Sequence, residues 1–175
     1  MPYRLLLGGA RSGKSDLAVR SAASSGRPVV VVVTAEARDD EMAERIQRHR
    51  AVRPAGWTTL EVPVALDAGV ADIDPQAFVV LDCLTIWVSN AIETGADDER
   101  IAEEARAVAA RLRAREGPGA VVTNEVGLGI VPVNEVARRY RDLLGRVNTM
   151  FAEGAEESYL LVAGKALPLT EPTLA

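Results

Sequence analysis

The chain has 175 residues, 48% of them hydrophobic and 4% aromatic, with a formal net charge of −5. That length suits one domain around one core of Val, Leu, Ile and Ala, and the acidic balance argues against nucleic acid as the main partner. No apolar run approaches the ~20 residues that cross a bilayer, the N-terminus has no signal-peptide layout, and the lone cysteine, Cys83, leaves no internal disulfide; a cytoplasmic protein is expected.

Taken in chain order, short apolar runs alternate with helical patterns. Residues 4–7 (RLLL) read as a strand, followed by the glycine-rich 8–15 and a helix over 15–24. A second strand is predicted at 29–34 (VVVVVT). The charged segment 39–53 is predicted to be a helix with Met42, Ile46 and His49 spaced along one apolar, inward face. Residues 57–62 suit an extra short strand, and 64–76 an irregular or short helical connection. Strands follow at 78–82 (FVVLD), 120–123 (AVVT) and 159–163 (YLLVA). Helices are expected at 97–115 and at 134–152, where Val136, Tyr140, Leu143, Leu144, Val147 and Phe151 form a stripe. REGPG (115–119) reads as a loop with a helix stop. Residues 167–175, with two prolines, are expected to be a loosely ordered tail. Strand runs that are apolar throughout are buried on both faces. The fold class expected is therefore α/β: a single domain over 1–175 with a mainly parallel sheet flanked by helices.

The segment GGARSGKS (8–15) meets the pattern G-x-x-x-x-G-K-[ST] with Gly8, Gly13, Lys14 and Ser15. Gly9, Ala10, Arg11 and Ser12 complete it. Glycines let backbone N–H groups wrap an anion, and the following helix turns its positive end toward it. Lys14 supplies a compact charge to the outer phosphates, and Ser15 can ligate Mg²⁺. The chain holds 18 arginines and only two lysines, Lys14 and Lys165. Lysine thus stands where a point charge on phosphate is wanted. A P-loop NTPase-like nucleotide site is expected. Asp82, closing AFVVLD, falls at the carboxyl end of a strand, where it suits a Mg²⁺ ligand or an ordinary cap.

His49 is the only histidine. Its spacing fits a partly buried structural residue as well as a proton carrier or a nucleophile at phosphorus. One histidine makes no metal cluster, and no nucleophile-elbow pattern is present. In TNEVGLGIVP, Asn124 and Glu125 fall near the expected crevice and read either as a capped structural loop or as an active-site wall. Arg138, Arg139 and Arg141 read as a solvated face, or as phosphate or subunit contacts. No N-K-x-D guanine motif is present, which speaks against a GTPase-type switch. A P-loop small-molecule kinase is one reading that the residues leave open.

Five segments together are more specific than the phosphate loop alone: GGARSGKS (8–15), DDEMAERIQRHR (39–50), RPAGWTTLE (53–61), VVLDCLTIWVSN (79–90) and TNEVGLGIVPVNEVARRYRDLLGRVN (123–148). In these the chain resembles the bifunctional adenosylcobinamide kinase / adenosylcobinamide-phosphate guanylyltransferase family of cobalamin biosynthesis. The resemblance thins at 64–77, 95–118 and the tail. It implies that His49 is the nucleophile that becomes guanylylated, with Lys14 and Asp82 also catalytic. It further implies that residues 8–15, Thr34, Ala35, Glu36, Arg50, Ala51, Val52, Arg53, Glu61 and Asp82 line the GTP site, with Ser15 and Asp82 on Mg²⁺. ATP or GTP is then the kinase donor, GTP the guanylyl donor and a corrinoid the acceptor, in a homotrimer with neither nucleic acid nor membrane as partner. Asp82 stands where better-known members carry Glu, and Arg48 where a second histidine can occur. Attack by His49 on an α-phosphate held by the loop implies that helix 39–53 moves between an open form and one docked over residues 8–15, hinged at 35–40.

Overall fold

The structure is a computed structural model that describes residues 3–171. Seven strands form one sheet in the order β3-β2-β4-β5-β1-β6-β7. The strands are β1 (Tyr3–Gly8), β2 (Val29–Val33), β3 (Thr58–Glu61), β4 (Phe78–Asp82), β5 (Gly119–Val122), β6 (Glu157–Val162) and β7 (Lys165–Leu169). Every neighbouring pair is parallel except β6 with β7. The helices are α1 (Lys14–Ala23), α2 (Asp40–Ala51), α3 (Leu66–Ala71), α4 (Leu84–Glu93), α5 (Asp98–Arg113) and α6 (Glu135–Gly154).

Side chains alternate across each strand, so the sheet feeds two cores. Leu5, Leu7, Val79, Leu81 and Val121 pack with α3, α4, α5 and α6, where Trp87, Leu143, Leu144 and Phe151 are fully buried. Leu6, Val31, Phe78, Val80, Ala120 and Val122 form a smaller core under Ala18 and Ala22 of α1. Three helix starts are capped by side chains: Asp39 accepts from the Met42 amide, Asp97 from Arg100 and Asn134 from Ala137.

Two features differ from expectation. The expected loose tail is ordered in part: Leu167, Pro168 and Leu169 belong to β7 and pair with Leu160, Tyr159 and Ser158 of β6. Residues 172–175 of that tail lie outside the described residues. The stretch 84–93 forms α4, for which no helix was expected. On α2, Met42, Ile46 and His49 share the face toward the domain, as expected, and are half-buried; the helix has no fully buried residue. The helix lies against the carboxyl edge of the sheet, outside both cores.

That edge is level. The register sets Val33 beside both Glu61 and Asp82, Asp82 beside Val122, and Val122 beside Leu6. The phosphate loop leaves β1 there at Gly8, where a methyl group would stand 2.3 Å from the Leu161 carbonyl oxygen. No L side chain fits against a backbone atom at that distance. Gly8→Ala is therefore expected to cost more than about 2 kcal/mol in denaturant unfolding and to abolish nucleotide binding; wild-type stability and binding in this variant would refute the packing argument.

Candidate active site

Gly13 opens α1 with φ 98° and offers no side-chain cap, so the amides of the first turn keep their donors for an anion. Lys14 is 6% exposed, and its ammonium donates to the carbonyls of Gly8 (2.9 Å) and Gly9 (2.7 Å) and to Ser12 Oγ (3.3 Å). Burial lowers its pKa below the ordinary lysine value; Cys83 and Asp82 oppose that shift and Arg45 adds to it. Ser12 is buried, Ser15 half-buried, and Gly9, Ala10 and Arg11 exposed, with Arg11 at φ 56°. The turn between β6 and β7 leans on the loop: the Gly164 amide donates to the Ser12 carbonyl at 3.0 Å.

Asp82 ends β4 with its side chain 15% exposed. His49 Nδ1 stands 3.8 Å from Asp82 Oδ2, an electrostatic contact longer than a hydrogen bond. Arg53, just past α2, is half-buried; burial lowers its pKa, Asp82 opposes that and Arg50 adds to it. Lys14, His49, Asp82 and Arg53 thus share one electrostatic neighbourhood. The Cys83 thiol is pushed up to about 11, first by burial and then by Asp82, and so stays protonated at neutral pH.

The remaining residues named from sequence are placed differently. Thr34 is fully buried, and its hydroxyl donates to the Cys83 carbonyl (2.7 Å) and accepts from the Cys83 amide (3.0 Å). Its side chain fixes the end of β4. Ala35 follows, half-buried. Glu36 is exposed and paired with Arg38, which also reaches Glu93 and Asn90 of α4. Glu61 ends β3 exposed, with β2 between it and Asp82. Arg50, Ala51 and Val52 are exposed at the end of α2. Arg138 donates to the Pro132 carbonyl, Arg139 pairs with Asp98 and Arg141 with Asp142, so this basic patch is engaged within the chain.

Two asparagines hold the edge together, and sequence reasoning named neither. Asn90 Nδ2 donates to the carbonyls of Thr34 and Pro63, both at 2.9 Å, and so ties the segments after β2 and β3 to α4. Asn148 accepts from the Thr123 hydroxyl at 2.7 Å and donates to the Asn124 carbonyl at 3.0 Å, tying the segment after β5 to α6. The Asn124 amide donates to Thr85 Oγ1 at 2.8 Å, and the Glu125 amide to the Gly8 carbonyl at 3.2 Å. The available signal was a polar amide within an otherwise apolar helical stripe.

Comparison with known proteins decides the family. The model of the cobinamide kinase / cobinamide phosphate guanyltransferase family matches residues 4–169. The chain belongs to that family. It is 45% identical over 166 residues to a protein of Pseudomonas aeruginosa named bifunctional adenosylcobalamin biosynthesis protein CobP, covering 94% of this chain and 95% of that one. It is 39% identical to the bifunctional adenosylcobalamin biosynthesis protein CobU of Escherichia coli and 38% to that of Salmonella typhimurium, each covering 91% of this chain and 95% of the relative. Among solved structures, a Pyrococcus horikoshii protein aligns with TM-score 0.56 at 11% identity, over 95% of this chain and 85% of that one. The RadB recombinase aligns with TM-score 0.53 at 15% identity, over 91% and 73%. These two bear on the fold alone, and they agree with the P-loop NTPase-like α/β architecture.

The Asn148 bridge generates a prediction. Asn148→Ala leaves the buried Thr123 hydroxyl and the Asn124 carbonyl without partners, at an expected cost of about 1–3 kcal/mol. Because Glu125 is bonded to Gly8, nucleotide affinity is expected to fall too. Unchanged unfolding midpoints would show that the bridge carries nothing.

Proposed function

We propose that the chain phosphorylates the aminopropanol hydroxyl of adenosylcobinamide with ATP or GTP. It then transfers GMP from GTP through a guanylyl group on His49 to give adenosylcobinamide-GDP. The observation that carries this reading is the imidazole of His49 held 3.8 Å from Asp82, whose carboxylate also acts on the phosphate-loop lysine. A simple kinase needs no nucleophile there. Family membership and the relatives' names support both activities.

In the kinase step, the amides of the loop and Lys14 hold the outer phosphates and take up the charge that moves in phosphoryl transfer. In the transferase step, Nδ1 is the ring nitrogen turned to Asp82, which leaves Nε2 for the α-phosphorus. The resulting guanylyl-histidine is attacked by the phosphate of adenosylcobinamide phosphate. Among the described residues no group of three or more His, Cys, Asp or Glu is clustered for a metal. One carboxylate, Asp82, and one hydroxyl, Ser15, fit Mg²⁺ that completes its shell with water and substrate phosphates. When bound, the ion supplies neutralisation of phosphate charge.

Residues 8–15, Thr34, Ala35, Glu36, the segment 50–53, Glu61 and Asp82 form the proposed GTP site. The α2 helix, with no buried residue, is suited to move between open and docked positions at low cost in lost packing. We assign the corrinoid side of the crevice to the segment that begins beside Gly8 at Asn124 and Glu125. It continues into Leu128, Ile130 and Val133, which are 85–97% exposed. A homotrimer in the cytoplasm is the assembly and location proposed. No helix of the described residues is long and apolar enough to cross a membrane.

Incubation with α-³²P GTP and Mg²⁺ is expected to leave acid-labile, base-stable label on the wild type and none on His49→Ala. Lys14→Ala is expected to lower kinase turnover by roughly 10²- to 10³-fold. No label on folded, GTP-binding wild type would remove the guanylyl transfer and leave a kinase.

A further inference from the structure

The α2 helix has few ties to the fixed half of the site. It lies outside both cores, and among the described residues its one ion pair with the rest of the chain is that of His49 with Asp82. The segment that enters the helix is held more firmly. Arg38 stands directly before Asp39, whose carboxylate caps α2 by accepting from the Met42 amide at 2.7 Å. The Arg38 guanidinium has three partners. Nε and Nη2 donate to Glu36 Oε2 at 3.2 and 2.6 Å, Nη2 also donates to Asn90 Oδ1 at 3.1 Å, and Nη1 pairs with Glu93. Two of these partners belong to α4, and each is itself oriented. Asn90, 3% exposed, donates from Nδ2 to the carbonyls of Thr34 and Pro63, which fixes the direction of its Oδ1. Glu93 accepts from the Ser89 hydroxyl at 3.2 Å. An exposed ion pair alone contributes little, whereas several acceptors on one guanidinium order a single side chain for all of them.

We propose that Arg38 is a positioning residue of the guanylyl transfer: its bonds to Asn90 and Glu93 latch the entry of α2 to α4 and so set where His49 stands against Asp82. This rests on the guanylyl transfer proposed above. Arg38 acts through the helix and not on a reacting atom. The lever is long. His49 lies ten residues beyond Asp39, about 15 Å along the helix axis. A tilt of about 10° at the root would carry the imidazole about 2.5 Å. Attack on phosphorus needs an approach of ~3–3.5 Å, and a misplacement of about 1 Å can cost a hundredfold. The kinase step depends less on the latch. The phosphate loop, Lys14 and the end of β4 keep their own hydrogen bonds, to Gly8, Gly9 and Thr34, when Arg38 is removed.

The experiment measures single-turnover labelling of His49 with α-³²P GTP beside adenosylcobinamide phosphorylation with ATP, in wild type, Arg38→Ala, Glu93→Ala and the double variant. Hydrogen exchange of the same proteins without nucleotide is the third readout. The side chains of Arg38 and Glu93 are about half exposed, so thermal midpoints are expected to stay within about 3 °C of wild type. At saturating GTP, Arg38→Ala is expected to label about tenfold more slowly while the kinase rate stays within about twofold. Glu93→Ala is expected to slow labelling in the same sense, and the double variant to fall no further than Arg38→Ala. Amides of 40–51 are expected to exchange at least about threefold faster in Arg38→Ala, and those of α6 at the wild-type rate. Labelling by Arg38→Ala at the wild-type maximal rate overturns the proposal. So does an equal fall in both activities, or a loss confined to GTP affinity, which would point to nucleotide contact through Glu36. Absence of label on the wild type is a separate failure, that of the guanylyl transfer, and the exchange of 40–51 then still decides whether Arg38 latches the helix.

Discussion

The carbonyl oxygen of Gly8 accepts two donors, Lys14 Nζ from the phosphate loop and the amide of Glu125 from the segment after β5. The same residue lacks a side chain where the Leu161 carbonyl presses in from β6. Three segments far apart in sequence therefore meet on one peptide unit. Each hydrogen bond contributes about 1 kcal/mol net, more where a charge takes part. Their worth lies in mutual dependence: the lysine that must face phosphate is held by the carbonyl that also positions the crevice wall.

Around that point the edge of the sheet is built twice by one device. Asn90 on α4 and Asn148 on α6 each use a side-chain amide to satisfy backbone carbonyls that the strand ends leave unpaired. Loops that must stay open to a substrate cannot pair their own carbonyls with one another, and a buried carbonyl without a donor is costly. An amide from the helix behind solves both problems. The fixed half of the site rests on these bridges, Asn148 holding the segment after β5 and Asn90 those after β2 and β3. The α2 helix itself makes none of these bonds, and it brings the histidine to Asp82 of the fixed half.

Legibility in the sequence followed the physics of burial. VVVVV and FVVLD read as strands because both faces of a parallel sheet are covered, and GGARSGKS between a strand and a helix left little freedom in placing the nucleotide. LTIWVSNAIE did not read as a helix: Leu84, Trp87, Val88 and Ala91 are buried with apolar neighbours between them, so the amphipathic contrast is weak. KALPL did not read as a strand because proline argues against one, yet Pro168 sits on an edge strand, where a missing amide donor costs no ladder bond. The inward face of α2 was located correctly, and its residues are half-buried as the spacing of a partly buried stripe suggests; spacing reports direction and says nothing of what lies opposite. The catalytic reading of His49 came from resemblance; its spacing suits a structural histidine equally well.

The position of β1 has a consequence for how the protein comes into being. β1, translated before the other six strands, is bordered by β5 and β6, the first of which begins at Gly119 and the second at Glu157. The phosphate loop is encoded at 8–15, while its supports, Glu125, Leu161 and Gly164, are translated much later. A nascent chain thus carries the loop's amino acids long before it has the loop's shape. Nucleotide capture waits on translation of β6 and the turn after it, and a chain cut short before that hairpin would expose the sequence of a nucleotide site without the site.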